Sequence, residues 1–558
     1  MPVVDVDLRR LAALAGWNGP PEGILDVVPY AGLDIESVDG PVARLEYSPN
    51  RPDFATEWGI AAYLRGITGV ERGPVGLSAS RPSITIYVDR ALRGVRPYIA
   101  GLAAKGLALD EESIRQLIRL QEDLHQGPGR RRRYLAIGLH DLGKLDPPLY
   151  YRAVDGDYEF VPLGESRRWR VRDILSGHEL GIEYGAALPA SGPYPMLVDS
   201  AGNTLSFPPI INGERTRVHG GTGALFVDVT GTSYSRVMDA LSVLALTLHE
   251  MGAALEYTTV DYGDIRLLSP DLSSREIRLS ARRASSLLGL ELSPPDLGEY
   301  LGRARIGVSE VLPDGVVAAV PRYRFDVMHE VDLVEEVAYG YGYARMGPEA
   351  PREPGMGAGS GAASFEEAVR DIAVGLGLQE VLTTHLTSYD LLYGVTRRRP
   401  ERPIRVLSSK SGEHEYLRDS LIPGLLGVLS SNAHEEYPQR IFEVGSAVVA
   451  GPGGVEERRE LAIATAHARA GFTEMKSIVD AVVGSLTGRR PSYSQAGCPP
   501  PFIDGRCASA SLDGAVLGIL GEIDPATLEP LRIQVPVAAA ELSVDALRSA
   551  CGKRYPPR

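Results

Sequence analysis

The segment GPEAPREPGMGAGSGAA at 347–363 constrains the architecture of this chain more than any other. It offers almost no large apolar side chain, cannot build a core, and reads as a linker. The chain on either side must therefore bury its own apolar surface. At 558 residues and roughly 150 residues per domain, about three to five domains are expected. An apolar content of 44% with 23% charged residues suits ordinary globular domains. The longest apolar run, ALSVLALTL at 240–248, is less than half a bilayer span. The start MPVVDVDLRRL carries acids where a signal peptide carries basic and then apolar residues. A cytoplasmic protein is expected. The formal charge of −14 argues against a chain that coats nucleic acid, while leaving room for a local contact or a basic partner subunit.

The stretch RFDVMHEVDLVEEVAYGYGY from Arg324 to Tyr343 gathers acids. Asp332, Glu335 and Glu336 stand at i, i+3 and i+4 and share a helical face, with Asp326 upstream able to fold back toward it. Val331, Val334, Ala338 and Tyr341 are expected to bury the opposite side. Such acids repel unless a cation or a basic partner sits among them, and oxygen-only ligands suit a hard ion such as Mg²⁺. A solvated acidic face near a helix N-terminus is the plainer reading.

Residues 1–90 mix short strand-like runs with one clear helix, which follows YSPNRPDF and is capped by Asp53 or Thr56. Arg51 there is either an RNA contact or part of a structural turn. The unit 91–262 holds a helix from Glu111 to His125 and then four arginines at 130–133, which either touch phosphate or an acidic neighbour or form a solvated run. His140 and Asp141 have no sequence-adjacent partner that would make a nucleophile or a metal site. Further on, YPMLVDSAGNTLSFPPIINGERTRVHGGTGALFVDVTGT alternates short apolar runs with turns, as a β-rich pocket does, before a helix from Ser235 to Met251. Residues 268–346 read as a small α/β module with a helix opening after Pro294-Pro295.

Beyond the linker, Ser364 and Glu367 suggest a capping box. Strand-like runs follow (LQEVLTTHLTS, IRVLSS, RIFEVGSAVVA, ELAIATAHA, VLGILGEID, VPVAAAEL) around the helix YLRDSLIPGLLGVLSSNAHE. Cys498, Cys507 and Cys551 lack metal-ligand spacing. Buried thiols are expected, with a Cys498–Cys507 disulfide credible only in a hyperthermophile.

P-x-x-R-x-D followed by HEVDLVEEVA and Y-G-Y, from Pro321 to Tyr343, resembles a module of the phenylalanyl-tRNA synthetase β-subunit family. The resemblance implies Mg²⁺ held by Asp326, Asp332, Glu335 and Glu336 near the contact with an α subunit. PPIINGERTRV and FVDVTGT resemble the editing module of the archaeal and eukaryotic type. Such a site has a chemical reason to exist, because a pocket shaped for phenylalanine cannot strongly reject tyrosine, which only adds a hydroxyl. The matching editing positions are Leu197 and Ser206 on one wall and Asp228 and Thr230 on the other, with no general base assigned.

EYLRDSLIPGLL, RIFEVG and GEIDP…PVAAAEL resemble the class II synthetase core, with two departures. Phe442 stands before the Glu where an ATP-binding arginine setting is required, and PVAAAELSVDAL lacks a Gly-rich turn ending in arginine. The resemblance thus implies a domain that does not activate an amino acid. The resemblance also implies the archaeal type, in which no anticodon-binding appendix is expected after this fold.

The expected fold is multidomain α+β. It has an N-terminal domain at 1–90 and a β-rich editing domain at 91–262. A small α/β Mg²⁺-binding domain at 268–346 and the linker at 347–363 lead to a class II synthetase-like antiparallel sheet with helices at 364–558. By resemblance, the chain pairs with α subunits in an α₂β₂ phenylalanine–tRNA ligase that uses ATP in the α subunit, binds tRNA(Phe) and hydrolyses mischarged tyrosyl-tRNA. A free-standing editing hydrolase and a scaffold without editing are the alternatives. A metal-dependent hydrolase centred on Asp326 has neither His or Cys ligands nor a nucleophile nearby.

Overall fold

The computed structural model describes all residues except Met1, Glu349, 351–354, Met356, Glu401, Ala496 and 553–558, so part of the expected linker lies outside the described residues. The chain divides into two compact units, Met1–Ala350 and Pro351–Arg558.

The first unit is organised by a ten-stranded sheet. Its order runs Ile211–Asn212, Thr204–Phe207, Tyr194–Val198, Leu149–Val154, Ser80–Val88, Ala254–Asp261, Tyr98–Lys105, Ala224–Gly231 and Leu135–Asp141, with Arg266–Ser269 paired onto Ala254–Asp261. Ser80–Val88 runs parallel to both its neighbours, and the other pairings are antiparallel. The sheet therefore draws in strands on both sides of 91–262. Its two ends curl together, and the Asn212 side-chain amide donates to the Leu139 carbonyl at 3.5 Å.

The period-2 alternation of ALFVDVTG explains how the sheet is covered. Leu225, Val227 and Val229 pack into one core with Leu241, Leu244 and Leu248 of the helix Tyr234–Glu250. Phe226 turns to the opposite side and joins a second core with Ile84, Ile86 and Leu197. Asp228 and Thr230, two and four residues on, share that inner face.

The N-terminal residues add a three-stranded antiparallel sheet (Val3–Asp7, Val42–Glu46, Asp34–Asp39) and two helices where one was expected. Asp7 caps the extra one, Leu8–Leu14, accepting from the backbone N–H groups of Arg9 and Arg10. Thr56, not Asp53, caps Glu57–Ile67, its hydroxyl accepting from the Gly59 N–H at 3.3 Å. Ile60 and Leu64 enter the same core as the sheet's outer face, each such burial stabilising by about 1.5–3 kcal/mol.

The small module pairs strands Ser274–Ser280 and Gly307–Leu312 on either side of Gly315–Pro321. Helices Ala281–Leu288, Pro294–Arg303 and Glu330–Tyr341 cover it. The helix after Pro294-Pro295 forms, with a Ser293/Asp296 capping box. The acidic helix is rotated from expectation. Leu333, Val334, Val337 and Ala338 are buried while Val331 is 46% exposed, and Glu336 points inward rather than to solvent.

In the second unit a seven-stranded sheet runs Gln379–Glu380, Gln439–Gly451, Gly454–Ala466, Val537–Ser543, Ala515–Ile523, Phe502–Leu512, Ser492–Ser494. It is antiparallel except at the first pair. The opening helix starts at Gly361, behind Ser360, and no side chain caps it. The expected Ser364/Glu367 capping box is absent because helical backbone already runs through Ser364, whose N–H donates to the Ser360 carbonyl. IRVLSS forms no strand, only an isolated bridge at Arg405. The helix expected to begin at Tyr416 begins instead at Ile422, because Tyr416–Leu417 pairs with Leu386–Thr387 and Pro423 suits only a first turn. Cys498 and Cys507 form a disulfide with Cα atoms 5.7 Å apart, correcting the expectation of free thiols. The half-buried Cys551 thiol donates to the Leu486 carbonyl at 3.5 Å.

Candidate functional site

Where the ends of the large sheet meet, a cavity of about 120 Å³ opens. Ser206 borders it from one end strand, with Phe207, Ile210 and Asn212 beside it. Asp228, Thr230, Ala136 and Gly138 form the facing wall, and His125 and Arg132 border the rim. Three of the four expected editing residues, Ser206, Asp228 and Thr230, therefore meet here. Leu197 does not. It pairs across the ladder with Ser206, but its fully buried side chain packs with Leu205 and Phe226 in the core beside the cavity.

The polar side chains of this wall are fixed from behind. His140 Nε2 and Asp228 Oδ2 are 2.7 Å apart, and His140 Nδ1 lies 2.8 Å from the Thr216 hydroxyl. Arg96 Nε donates to the Thr230 hydroxyl at 2.9 Å and Arg96 Nη2 to the Thr230 carbonyl at 2.8 Å. Burial pushes the Arg96 guanidinium down to about 10, against the pull of Tyr151 and Asp228. Gly138 stands opposite Asp228 in the ladder, and a Cβ there would fall 2.1 Å from Asp228 Oδ2, so only glycine leaves the carboxylate its place. Among the described residues, Ser206 Oγ is buried with no hydrogen-bond partner, an expensive state unless a ligand or water completes it.

At the rim, His125 Nε2 accepts from the Ile137 N–H at 2.8 Å while Nδ1 faces Glu122 at 3.1 Å. Burial lowers the His125 pKa. Arg132 binds Glu122 at 2.9 Å and the Ile210 carbonyl at 3.0 Å, with its guanidinium 4.3 Å from the Tyr184 ring centre. One of the four arginines at 130–133 is thus an organising residue. Sequence reasoning missed Arg96, Thr216, the Arg132 contacts and the partner of His140. His140 and Asp228 lie 88 residues apart, beyond any spacing argument. The available signal was alternation, since Gly138 and His140 share one face of their strand as Asp228 and Thr230 share one face of theirs.

The four expected metal ligands take different positions. Arg324 binds Asp326 (Nη2 to Oδ2, 2.8 Å) and also Glu336. Tyr63 donates to Glu336 at 3.0 Å. Arg51 pairs with Asp53 at 2.7 Å and lies over the rings of Phe54 and Tyr63, which makes it part of a buried structural turn. Asp332 Oδ2 accepts from the N–H groups of Met328 and His329, both at 2.8 Å, capping the acidic helix. Glu335 alone is exposed. Burial and then the charges of Glu336, Asp332 and Asp326 raise its pKa, so the acids do press on one another. Four hard oxygen donors suit Mg²⁺, but two of them are bridged by a guanidinium. Among the described residues no group of three or more His, Cys, Asp or Glu side chains is placed to hold a metal ion. The donor chemistry fits the ion; the geometry does not close a ligand shell around it.

In the second unit the acids of the class II-like strands are locked. Glu443 of RIFEVG accepts from Arg418 and from Thr383, each at 2.7 Å. Glu541 of PVAAAEL accepts from the Ser420 hydroxyl at 2.8 Å and the Leu421 N–H at 2.5 Å. Phe442 is core.

Two family models match: the tRNA synthetase B5 domain over residues 277–343 and the phenylalanyl tRNA synthetase beta chain CLM domain over 348–544. Together they place the molecule among multidomain aminoacyl-tRNA synthetase subunits. The chain is 39% identical to the phenylalanine–tRNA ligase β subunit of Archaeoglobus fulgidus, covering 98% of each. To that of Pyrococcus furiosus it is also 39% identical, covering 97% of this chain and 99% of the relative. A crystal structure of an N-terminal fragment of the phenylalanyl-tRNA synthetase β subunit from Pyrococcus horikoshii matches with a TM-score of 0.58 at 36% identity, covering 61% of this chain and 99% of the fragment. The chain belongs to the phenylalanine–tRNA ligase β-subunit family, a ligase class in protein biosynthesis whose catalysis is shared with an α subunit. None of the described helices is long and apolar enough to cross a membrane.

Proposed function

We propose that this chain scaffolds an α₂β₂ phenylalanine–tRNA ligase in the cytoplasm, binds tRNA(Phe), and hydrolyses tyrosyl-tRNA(Phe) made in error by the ATP-using α subunit. One observation carries the editing role. A cavity in the β-rich sheet gathers Ser206, Asp228 and Thr230, and leaves the Ser206 hydroxyl buried without a partner among the described residues. Buried polar groups held for a substrate hydroxyl can discriminate by about 10⁴–10⁵ against the analogue lacking it. Asp228 and Thr230 orient the hydroxylated side chain, Phe207 and Ile210 exclude water from its ring, and the ester is left where a water can reach it.

The domain plan that goes with this reading has an N-terminal domain, an editing domain whose sheet takes in Ser80–Val88 and Arg266–Ser269 beyond the expected 91–262, an Mg²⁺-binding module and a non-activating class II-like domain from 364. The engagement of Glu443 by Arg418, with Phe442 in the core, supports the last. Asp326, Asp332, Glu335 and Glu336 are the donors this reading gives to Mg²⁺, and Asp326 and Glu336 become ligands only where the ion displaces Arg324, which neutralises them in this structure.

The test compares the purified chain alone with the chain mixed with its α subunit. The expected results are a complex near twice the αβ mass, phenylalanylation only after mixing, and tyrosyl-tRNA hydrolysis lowered about 100-fold or more by Asp228→Ala. Hydrolysis unchanged in Asp228→Ala would refute the editing role. No association, with hydrolysis by the chain alone, would favour the free-standing hydrolase.

A further inference from the structure

We propose that Arg96 and His140, neither of which lines the cavity, are positioning residues that fix the hydrogen-bond polarity of its wall: Thr230 as donor and Asp228 as acceptor. The inference rests on the editing reading and deepens it, by stating what makes the site choose a hydroxylated aromatic ester.

Consider Thr230 first. A guanidinium donates and never accepts, so the bond from Arg96 Nε to the Thr230 hydroxyl at 2.9 Å occupies an oxygen lone pair. The hydroxyl proton is left over, with no acceptor among the described residues, on a side chain that lines the cavity. Arg96 cannot swing away. Its Nη2 holds the Thr230 carbonyl at 2.8 Å, and its Nη1 the Arg132 carbonyl at 3.4 Å. An arginine so fully buried is costly to keep, and the cost is offset only by these bonds.

The logic at Asp228 is the mirror image. A carboxylate only accepts, so His140 carries its proton on Nε2 and gives it to Asp228 Oδ2 at 2.7 Å. Nδ1 lies 2.8 Å from the Thr216 hydroxyl, which holds the ring in this orientation. Asp228 is thereby oriented with one oxygen committed and the other available to the cavity it lines. Gly138 leaves room for this placement alone.

Asp228 and Thr230 are two residues apart on one strand face, about 6.6 Å along the backbone. A phenolic O–H between them donates to Asp228 and accepts from Thr230, satisfying both. A phenylalanyl ester in the same place leaves the Thr230 hydroxyl proton and the second Asp228 oxygen without a partner. On the opposite wall Ser206 Oγ, also buried and unpartnered, is the further polar atom open to a ligand.

The experiment is a pair of double-mutant cycles in the assembled ligase, reading the ratio of kcat/KM for tyrosyl- over phenylalanyl-tRNA(Phe) hydrolysis. Arg96→Lys and Thr230→Val should each lower that ratio about tenfold or more, and the double variant should fall no further than either alone, since the two act as a unit. The second cycle, His140→Asn with Asp228→Asn, should behave alike, and it decides the matter if Arg96→Lys loses its cooperative melting transition. Additive losses, or an Arg96→Lys effect that lowers both substrates equally, would overturn the proposal and mark these residues as mere packing. A wild-type ligase that leaves tyrosyl-tRNA intact would overturn the editing reading itself. Wild-type hydrolysis with additive cycles would overturn only the roles of Arg96 and His140.

Discussion

Around Arg324, two guanidiniums and three carboxylates close on one another. Arg51 and Arg324 face Asp53, Asp326 and Glu336, with Tyr63 donating to Glu336 and Phe54 beneath Arg51. Along the strand Ala224–Gly231 an equally buried set stays open, since Arg96 and His140 orient Thr230 and Asp228 toward a cavity whose far wall holds an unpartnered serine. Both sets remove charge from water, and both rely on Arg or His to make that tolerable. They differ in whether any polar capacity is left over. The closed set rigidifies the contact between the N-terminal helix and the acidic helix. The open set is the one that can do something to a ligand. Burial of charge alone does not mark a site; unspent hydrogen-bonding capacity beside a cavity does.

Breaking the closed set should have the largest effect. Arg324→Met removes the cation that bridges Asp326 and Glu336, leaving only Arg51 and Tyr63 beside them, and should cost about 3–5 kcal/mol in a denaturant melt of the full chain. Asp228→Ala should remove hydrolysis with a much smaller shift of the same melt. Equal losses of stability would erase the contrast.

A smaller effect is expected on the acidic face. Asp332→Ala with Glu335→Ala leaves the Arg324 pairs intact and should weaken Mg²⁺ binding in equilibrium dialysis, along with assembly onto the α subunit. Unchanged binding and assembly would mean that Arg324 alone neutralises this face.

The smallest expected effect is on pH dependence, and it sets a half-compensated acid beside a compensated one. Burial pushes Glu57 up from 4.5 to about 7, against the pull of Arg10. The folded state then holds a proton that the unfolded chain has lost, so this contribution to stability falls as pH rises from about 4.5 through 7. Burial also disfavours the Asp326 carboxylate, but Arg324 outweighs it and brings the pKa below the usual value. The Asp326 contribution is present at neutral pH and is lost on acidification through that depressed pKa. Glu57→Gln should flatten the slope between pH 5 and 7 in thermal melts and leave the acid limb in place. A wild-type chain with no slope in that window would remove Glu57 from the argument.

Much of this was legible in sequence because it is local. The cap at Thr56 and the helix opening at Pro294-Pro295 each depend on neighbours a few residues away. So did the family motifs, and with them Ser206, Asp228 and Thr230. What needed the tertiary structure was every bond across long separations. His140 finds Asp228 88 residues on, Arg96 finds Thr230 134 residues on, and Tyr63 finds Glu336 273 residues on. The acidic helix shows why. Its carboxylates share a face by periodicity alone, yet Glu336 is buried because Arg324 and Tyr63 converge on it, and Leu197 matched a motif but turned into the core. Periodicity fixes which side chains travel together. Only packing decides which of them meet a partner, because the partner's position is set by the whole sheet and not by the segment that carries the motif.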